Sequence, residues 1–535
     1  MKKLLNLATI EWLILSLFVI LVILVRIRLL DFPLERDEGE FAYLGQLMLQ
    51  GIPPYELAYN IKFPGTYAMY ALIMAVFGET TRGIHLGLAV ANLVTIALLF
   101  FIMKRWVSQH AAIIAASAYA LLSLSPTVFG FAAHATHFVM LFALGGFLML
   151  LRAFDDERPT TYLWSGVLFS LACLMKQPGL LFCVFGFLAW GGHLILNDRK
   201  SHEQNKQSQF VFLLGGMALP LLVTIVLLHV YGVFERFFFW AIIHALNYDA
   251  PNPFFLFKEH FSFVIYGFYP LWSLAGIGLL ITFIHPQLTK EKKAVFILFA
   301  LCSTFSTIPG SHFYPHYFVM LLPAVAILIG VVSDYCYVQW NFEGPKRVLH
   351  YLGIFLFLVS SGFALFHHRS YLLTYNLPTL SKLIYGVNPF VESIEIARFI
   401  QQRTQPDDTI AVFGSEPQIY FYANRHSATG YIYAYDLMNN HPFTLAMQRE
   451  MIAQVEKAQP KMIVEVMTNN SWSRRQDSID FIFYWLGHYV EKNYVLAGVV
   501  ELISETKTHY YWFNDALNHK VKSNSYLLIF EKVAP

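Results

Sequence analysis

A succession of apolar runs, most of them close to the length that crosses a bilayer, leaves this chain few ways to fold. The runs fall at roughly 10–30, 84–103, 110–128, 136–151, 162–175, 180–196, 209–231, 264–284, 294–309, 317–338 and 348–366. In hydrocarbon every backbone N–H and C=O must find its partner inside the chain, so runs of this kind form helices. A full crossing takes ~20 residues. Composition agrees: 56% of the 535 residues are hydrophobic and 13% are charged, where a soluble domain carries about 25% charged residues. The net charge of +2 comes without a basic run of the kind that holds nucleic acid. The expected fold class is therefore an α-helical polytopic membrane protein with about eleven transmembrane helices.

Basic residues give the orientation, because they collect in cytoplasmic loops. Starting with Lys2 and Lys3 inside, the clusters Lys104–Arg105, Arg152 with Arg158, Arg199–Lys200, Lys290 with Lys292 and Lys293, and Lys346–Arg347 all fall on one side. This predicts a cytoplasmic N-terminus, an outer C-terminus and residence in the plasma (inner) membrane. The opening MKKLLNLATIEWLILSLFVILVILVRIRLL lacks a small-residue cleavage site and reads as a retained anchor. Cys173, Cys183, Cys302 and Cys336 lie in apolar runs, without CxxC spacing, and read as small core hydrophobes.

The stretch 31–82, outside in this scheme, holds the densest chemistry. In DFPLERDEGEFAYLGQLMLQGIPPYELAYNIKFPG the adjacent acids Asp37 and Glu38 stand where the chain leaves the lipid. Phe41, Leu44 and Met48 follow at helical spacing, with Asp37 one turn before Phe41 on the same stripe. This predicts a helix lying along the membrane interface. Asp37 with Glu40 three residues on also reads as a capping box. Glu38 could be a supporting group, a metal ligand or simply solvated, and Lys62 could be a snorkelling lysine. Lys176, in the outer turn MKQPG, is either paired, working or a topology marker. His316 in SHFYPHYF could be a core histidine. His134 and His137 have a spacing compatible with metal ligation on a helix, but no third ligand is evident, which favours a satisfied or surface role.

After His367 the long apolar runs stop. VESIEIARFIQQR, FTLAMQREMIAQVEKAQ and DFIFYWLGHYVEKNY read as helices, and TIAVFG, KMIVEV, YVLAGVVELI and SYLLIFEK as strands. Residues 367–535 are therefore expected to form an extracytoplasmic α/β domain with a structural or acceptor-binding role. VFGSEP has neither the glycine pattern nor the lysine of a phosphate loop.

The stretches RDEGEFAYLGQLMLQGIPPY and KFPGTYAMYAL resemble the first outer loop of GT-C membrane glycosyltransferases of the family-39-like (PMT/ArnT) type. That pattern is an Asp-Glu pair after the first span, an interfacial helix and a Lys-Pro-Pro-like corner. Here the corner is Lys62-Phe63-Pro64-Gly65, with a residue inserted. MKQPGLLF and GSHFYPHYFVMLLPAVAIL are similar to further outer segments of bacterial members. The resemblance implies a GT-C transmembrane catalytic domain over 1–366. It also implies transfer of a sugar from a polyprenyl-phosphate-linked donor to an envelope glycan, lipid or protein, with Asp37 as base.

The chemistry fits those residue types. An acceptor hydroxyl must lose a proton as it attacks the anomeric carbon, and a carboxylate can take it. The leaving phosphate needs no acid, but it does need positive charge nearby. A single displacement inverts the anomeric centre. Lys62, Lys176 and His316 are expected to hold the donor phosphate, with Arg36, Arg82, Tyr314 and Tyr317 as further substrate-binding residues on the same side. Glu38 supports Asp37. No cofactor is required; a divalent metal is compatible but not needed. The rivals are a transporter or flippase of lipid-linked sugar and a catalytically inactive relative. Transporters carry internal repeats and charges at mid-membrane, whereas here the polar residues crowd one face and no repeat of RDEGEF is present.

Overall fold

A computed structural model describes residues 7–196, 203–247, 252–339, 350–504 and 506–533. Lys2, Lys3, Asp198, Arg199, Lys200, Lys346 and Arg347, which carry part of the charge pattern, lie outside the described residues. The membrane part runs through α1 (Leu7–Arg28), α2 (Arg36–Leu49), α3 (Gly65–Phe77), α4 (Thr81–Trp106), α5 (Gln109–Leu122) and α6 (Ala135–Asp156). It continues through α7 (Pro159–Met175), α8 (Leu180–Leu196), α9 (Glu203–Val230), α10 (Phe234–Phe238) and α11 (Pro253–Ile265). The last four are α12 (Tyr269–Ile284), α13 (Lys290–Phe305), α14 (Leu322–Gln339) and α15 (Leu352–His367).

Each apolar run contains a helix, but helix length does not fix eleven crossings. Six helical stretches, in α1, α4, α6, α8, α9 and α14, are long and apolar enough to cross by themselves, and α11 with α12 makes a seventh if the pair is one span. The pair is bent by 107°. The break is at Gly267, whose φ of +75° favours glycine and whose missing Cβ makes room for the ring of His368. The remaining apolar helices α3, α5, α7 and α15 are shorter.

Packing follows residue size. In α5, QHAAIIAASAYALL, every residue from His110 to Leu122 is buried, because alanines let α1, α4 and α14 approach closely. On α9 the side chains of Leu219, Leu222, Val223 and Val226 face outward, as lipid-facing residues do. A second polar cluster departs from the expectation that polar groups crowd one face. At the ends of α1, α5 and α14 away from the Asp37 loop, Glu11 Oε1 lies 2.7 Å from His110 Nδ1, and His110 Nε2 lies 2.8 Å from Ser333 Oγ. Asp334 accepts from Ser108 and lies 3.2 Å from His285 Nε2. Isolated polar residues on separate helices give no sequence signal that they meet.

The tail begins with α16 (Leu377–Tyr385) and α17 (Glu392–Arg403) and builds one sheet from β1 (Ile410–Phe413), β2 (Met462–Met467), β3 (Tyr494–Ser504), β4 (Lys507–Trp512) and β5 (Tyr526–Lys532). The order is β1-β2-β5-β3-β4, parallel between β1 and β2 and antiparallel elsewhere. Helices α18 (Gln418–Ala423), α19 (Thr444–Ala458), α20 (Asn469–Trp472), α21 (Phe481–Asn493) and α22 (Asn514–Asn518) complete it. The expected strands and long helices are present; β4 is an addition, hairpinned onto β3.

The tail sits directly on the loop 31–82 that follows α1. Helix α18 crosses α2 so closely that a Cβ on Gly39 would stand 2.6 Å from Gln418 Cβ. Consequently the apolar stripe of α2 packs against protein rather than lipid. Ten of its residues, Glu38 to Leu47, are buried under the tail and against α3.

Candidate active site

Helix α2 starts two residues earlier than the capping-box reading requires. Glu35 is the N-cap, its carboxylate accepting the backbone N–H of Glu38 at 2.8 Å. Asp37 therefore lies in the first turn, near the positive end of the helix, and its carboxylate is left for other partners. Lys62 Nζ donates to Asp37 Oδ1 at 2.9 Å and to Glu40 Oε2 at 2.7 Å, and it lies 4.6 Å from the centre of the Phe41 ring. The Tyr433 hydroxyl, from the tail, donates to the same Asp37 oxygen at 2.9 Å. Glu40 also accepts from the Tyr67 hydroxyl at 3.2 Å.

The other oxygen of Asp37 faces two histidines. His134 Nδ1 and His316 Nε2 each lie 3.8 Å from Oδ2, and the two rings stack with centroids 4.1 Å apart. Both ring nitrogens of His134 are buried and lack hydrogen-bond partners. Asp37, His134 and His316 offer ligand atoms within 4.8 Å of one another, so this trio is where a metal ion could be held among the described residues. The His134–His137 pair is not that site. His134 is the N-cap of α6, ahead of the helix, and His137 stays in its first turn.

Loop contacts hold these pieces in register. The corner 61–66 is tied to the turn after α7, where Gln177 Nε2 donates to Ile61 O at 2.5 Å and the Thr66 hydroxyl to Met175 O at 2.6 Å. That turn presents Lys176, whose ammonium sits 3.6 Å above the Tyr317 ring. Tyr314 stacks on His316 at 5.9 Å. Glu38, wholly buried, accepts from Ala133 N at 2.6 Å and lies 3.0 Å from His85 Nε2. It thus ties the loop that carries His134 to the start of α2.

Two predicted binders are engaged elsewhere. Arg36 is clamped by the tail: it donates to Ser415 O at 2.5 Å, to Asn388 at 3.1 Å and to Glu416 at 3.1 Å, between the Phe390 and Tyr435 rings. Arg82 pairs with Asp31 at 2.6 Å, and both side chains are more than half exposed. The structure therefore gathers Asp37, Lys62, Lys176, Tyr314, His316 and Tyr317, and leaves Arg36 and Arg82 out.

Burial sets the charges. It opposes ionisation of Asp37, but Lys62 outweighs it and holds that carboxyl well below the usual range. Burial pushes Glu40 up to about 7 in spite of Lys62. It pulls Lys176 down to about 7, with Asp37 pulling the other way. It also lowers His134 to about 4 and depresses His316. The result is an ionised acid with 23% of its side chain exposed, beside fully buried Glu38 and Glu40.

Sequence reasoning missed Tyr433, Glu40 as a partner of Lys62, and His134 as a neighbour of Asp37. Glu40 could have been found, since it lies three residues after Asp37 on the same helix. Tyr433 is 396 positions from Asp37 and carries no local signal.

A polytopic membrane protein with a carboxylate-centred site under an α/β cap is the class these features define. More particularly, the chain shares the GT-C fold of solved membrane proteins. Residues 62–229 match the family described as dolichyl-phosphate-mannose-protein mannosyltransferase. An undecaprenyl phosphate-alpha-4-amino-4-deoxy-L-arabinose arabinosyl transferase of Pseudomonas aeruginosa is 31% identical over 160 residues, 29% of this chain; the aligned stretch spans only 28% of that relative's length. Among solved structures, ArnT from Cupriavidus metallidurans bound to undecaprenyl phosphate superposes with a TM-score of 0.58 at 14% identity, over 97% of this chain and 98% of that one. The Archaeoglobus fulgidus oligosaccharyltransferase in its apo form superposes with a TM-score of 0.56 at 11% identity, over 94% and 74%.

Proposed function

We propose that this protein is an inverting glycosyltransferase of the plasma (inner) membrane. It would move a sugar from a polyprenyl-phosphate-linked donor to a hydroxyl or amine of an envelope glycan, lipid or protein, with Asp37 as base. The observation that carries this reading is the contact of Asp37, the partly exposed acid, with Lys62 beside Lys176 and His316, on the loop that follows the first span. The relatives support the donor class, being named for or bound to undecaprenyl phosphate. The N-terminus is assigned to the cytoplasm and the tail to the outer face.

In the reaction, the acceptor oxygen bonds to the anomeric carbon while the bond from that carbon to the phosphate oxygen breaks. The acceptor proton goes to Asp37, and the polyprenyl phosphate leaves with the extra negative charge. Lys62 has a double part. While paired with Asp37 it makes that acid a weak base; drawn to the donor phosphate, it stabilises the leaving group and lets the basicity of Asp37 recover. Binding of the donor thus switches on the base. Lys176, on its aromatic platform, is a second cation for the phosphate, and His316 orients Oδ2 of Asp37. No step needs a metal. If one binds, Asp37, His134 and His316 would hold it and it would supply positive charge.

Purified protein in nanodiscs, given a panel of radiolabelled polyprenyl-phosphate sugars, should transfer or slowly hydrolyse one of them. Asp37→Asn should lower that rate by about 10²- to 10⁴-fold while the donor still binds. Equal rates would remove Asp37 as base, and failure to bind any donor would remove the function.

A further inference from the structure

Beside the Asp37 site, and separate from it, lies a cavity of about 300 Å³ where three parts of the chain meet. Tyr59 comes from the first outer loop, Arg236 and Trp240 from the segment after α9, and Tyr431, Phe443 and Glu450 from the tail. Tyr59 and Trp240 are stacked at 5.3 Å, and Tyr431 stands edge-on to both, at 5.3 and 5.8 Å. Glu450 accepts from the Tyr431 hydroxyl at 2.8 Å and from the Tyr59 hydroxyl at 3.3 Å. The Arg236 guanidinium lies 5.9 Å from the Tyr59 ring centre.

We infer that this cavity is an acceptor subsite that binds a saccharide, neutral or amine-bearing. Aromatic walls pack against the apolar C–H faces of sugar rings, while carboxylate and guanidinium groups hydrogen-bond hydroxyls in pairs. The lining carries Glu235 and Glu450 against Arg236, a net negative set that repels the phosphate of a donor. A lipid chain would set those three charged groups against hydrocarbon. The volume is at the lower end of small-molecule sites, ~300–1,000 Å³, so it suits a sugar unit better than a protein segment.

Position ties the cavity to the chemistry. Tyr59 N donates to Gly430 O at 2.7 Å, so the two chain segments run side by side. One reaches Lys62 three residues beyond Tyr59; the other reaches Tyr433, on Asp37, two residues beyond Tyr431. At about 3.6 Å per residue at most, those backbone paths are no longer than about 11 and 7 Å. Two short stretches of backbone therefore tie the cavity to the Asp37 site, and an acceptor saccharide held there would be presented towards it. The acceptor role rests on the glycosyltransferase reading; the binding of sugar does not.

The test titrates the full-length protein in nanodiscs with methyl glycosides of glucose, galactose, mannose and glucosamine, read by saturation-transfer NMR. Wild type should bind at least one, and Glu450→Gln and Trp240→Leu should weaken it tenfold or more. Unchanged melting of the isosteric Glu450→Gln shows that a loss is not unfolding. No binding to wild type, or equal binding to Glu450→Gln, overturns the subsite. Donor turnover, by transfer or hydrolysis, is measured separately on wild type. Absence of both with sugar binding intact overturns glycosyl transfer and the acceptor role with it, and leaves a saccharide site.

Discussion

Asp37 answers to different neighbours through its two oxygens: Lys62 and Tyr433 occupy Oδ1, and two stacked neutral imidazoles face Oδ2. Lys176 contributes the other cation only while protonated. Burial holds it near pH 7, among Asp37, Lys62 and Glu40. A lowered ammonium is charged below its pKa and neutral above, so affinity for a polyprenyl phosphate should fall as pH rises from 6 to 8. Glu40, pushed up to about 7, gains negative charge over the same interval and acts in the same direction. In Lys176→Met the fall should be shallower but not absent. Binding of a fluorescent polyprenyl phosphate across that range measures it, and equal slopes in both proteins would take Lys176 out of the donor site.

At the level of elements, the contact of α18 with α2 decides whether the tail and the membrane part share one site. Gly39 is the point of closest approach, where a Cβ would meet both the backbone and Cβ of Gln418. Backbone cannot yield as a flexible side chain can, so Gly39→Ala should cost about 1–3 kcal/mol. It should also shift α18 and the Arg36–Glu416 clamp outward. The expected result is a lower melting temperature, together with a loss of activity larger than the loss of folded protein, because Tyr433 moves off Asp37. A variant that melts as wild type would mean that α18 accommodates the methyl.

For the whole molecule, function requires the α/β tail and the Asp37 loop on one face, opposite the basic loops. All four native cysteines are buried, which makes introduced cysteines readable. Asp407→Cys, in an exposed turn of the tail, should react with a membrane-impermeant maleimide in intact cells. Lys290→Cys, exposed at the start of α13, should react only after the membrane is opened. The reverse pattern would invert the topology and remove the extracytoplasmic reaction.

The sequence by itself determined the helical membrane part, the strands β1, β2, β3 and β5, the chemistry of the Asp37 loop and the candidacy of Lys62, Lys176 and His316. Those are local properties: apolar run length, period-two and period-3.6 patterning, and charges where a chain leaves lipid. The tertiary structure alone decided that Glu35 caps α2, that Arg36 serves the tail, that Arg82 pairs with Asp31, and that Tyr433 and His134 reach Asp37. Each of these depends on which of several reachable partners a flexible or distant side chain meets. Packing sets that outcome, and no spacing in the sequence encodes it.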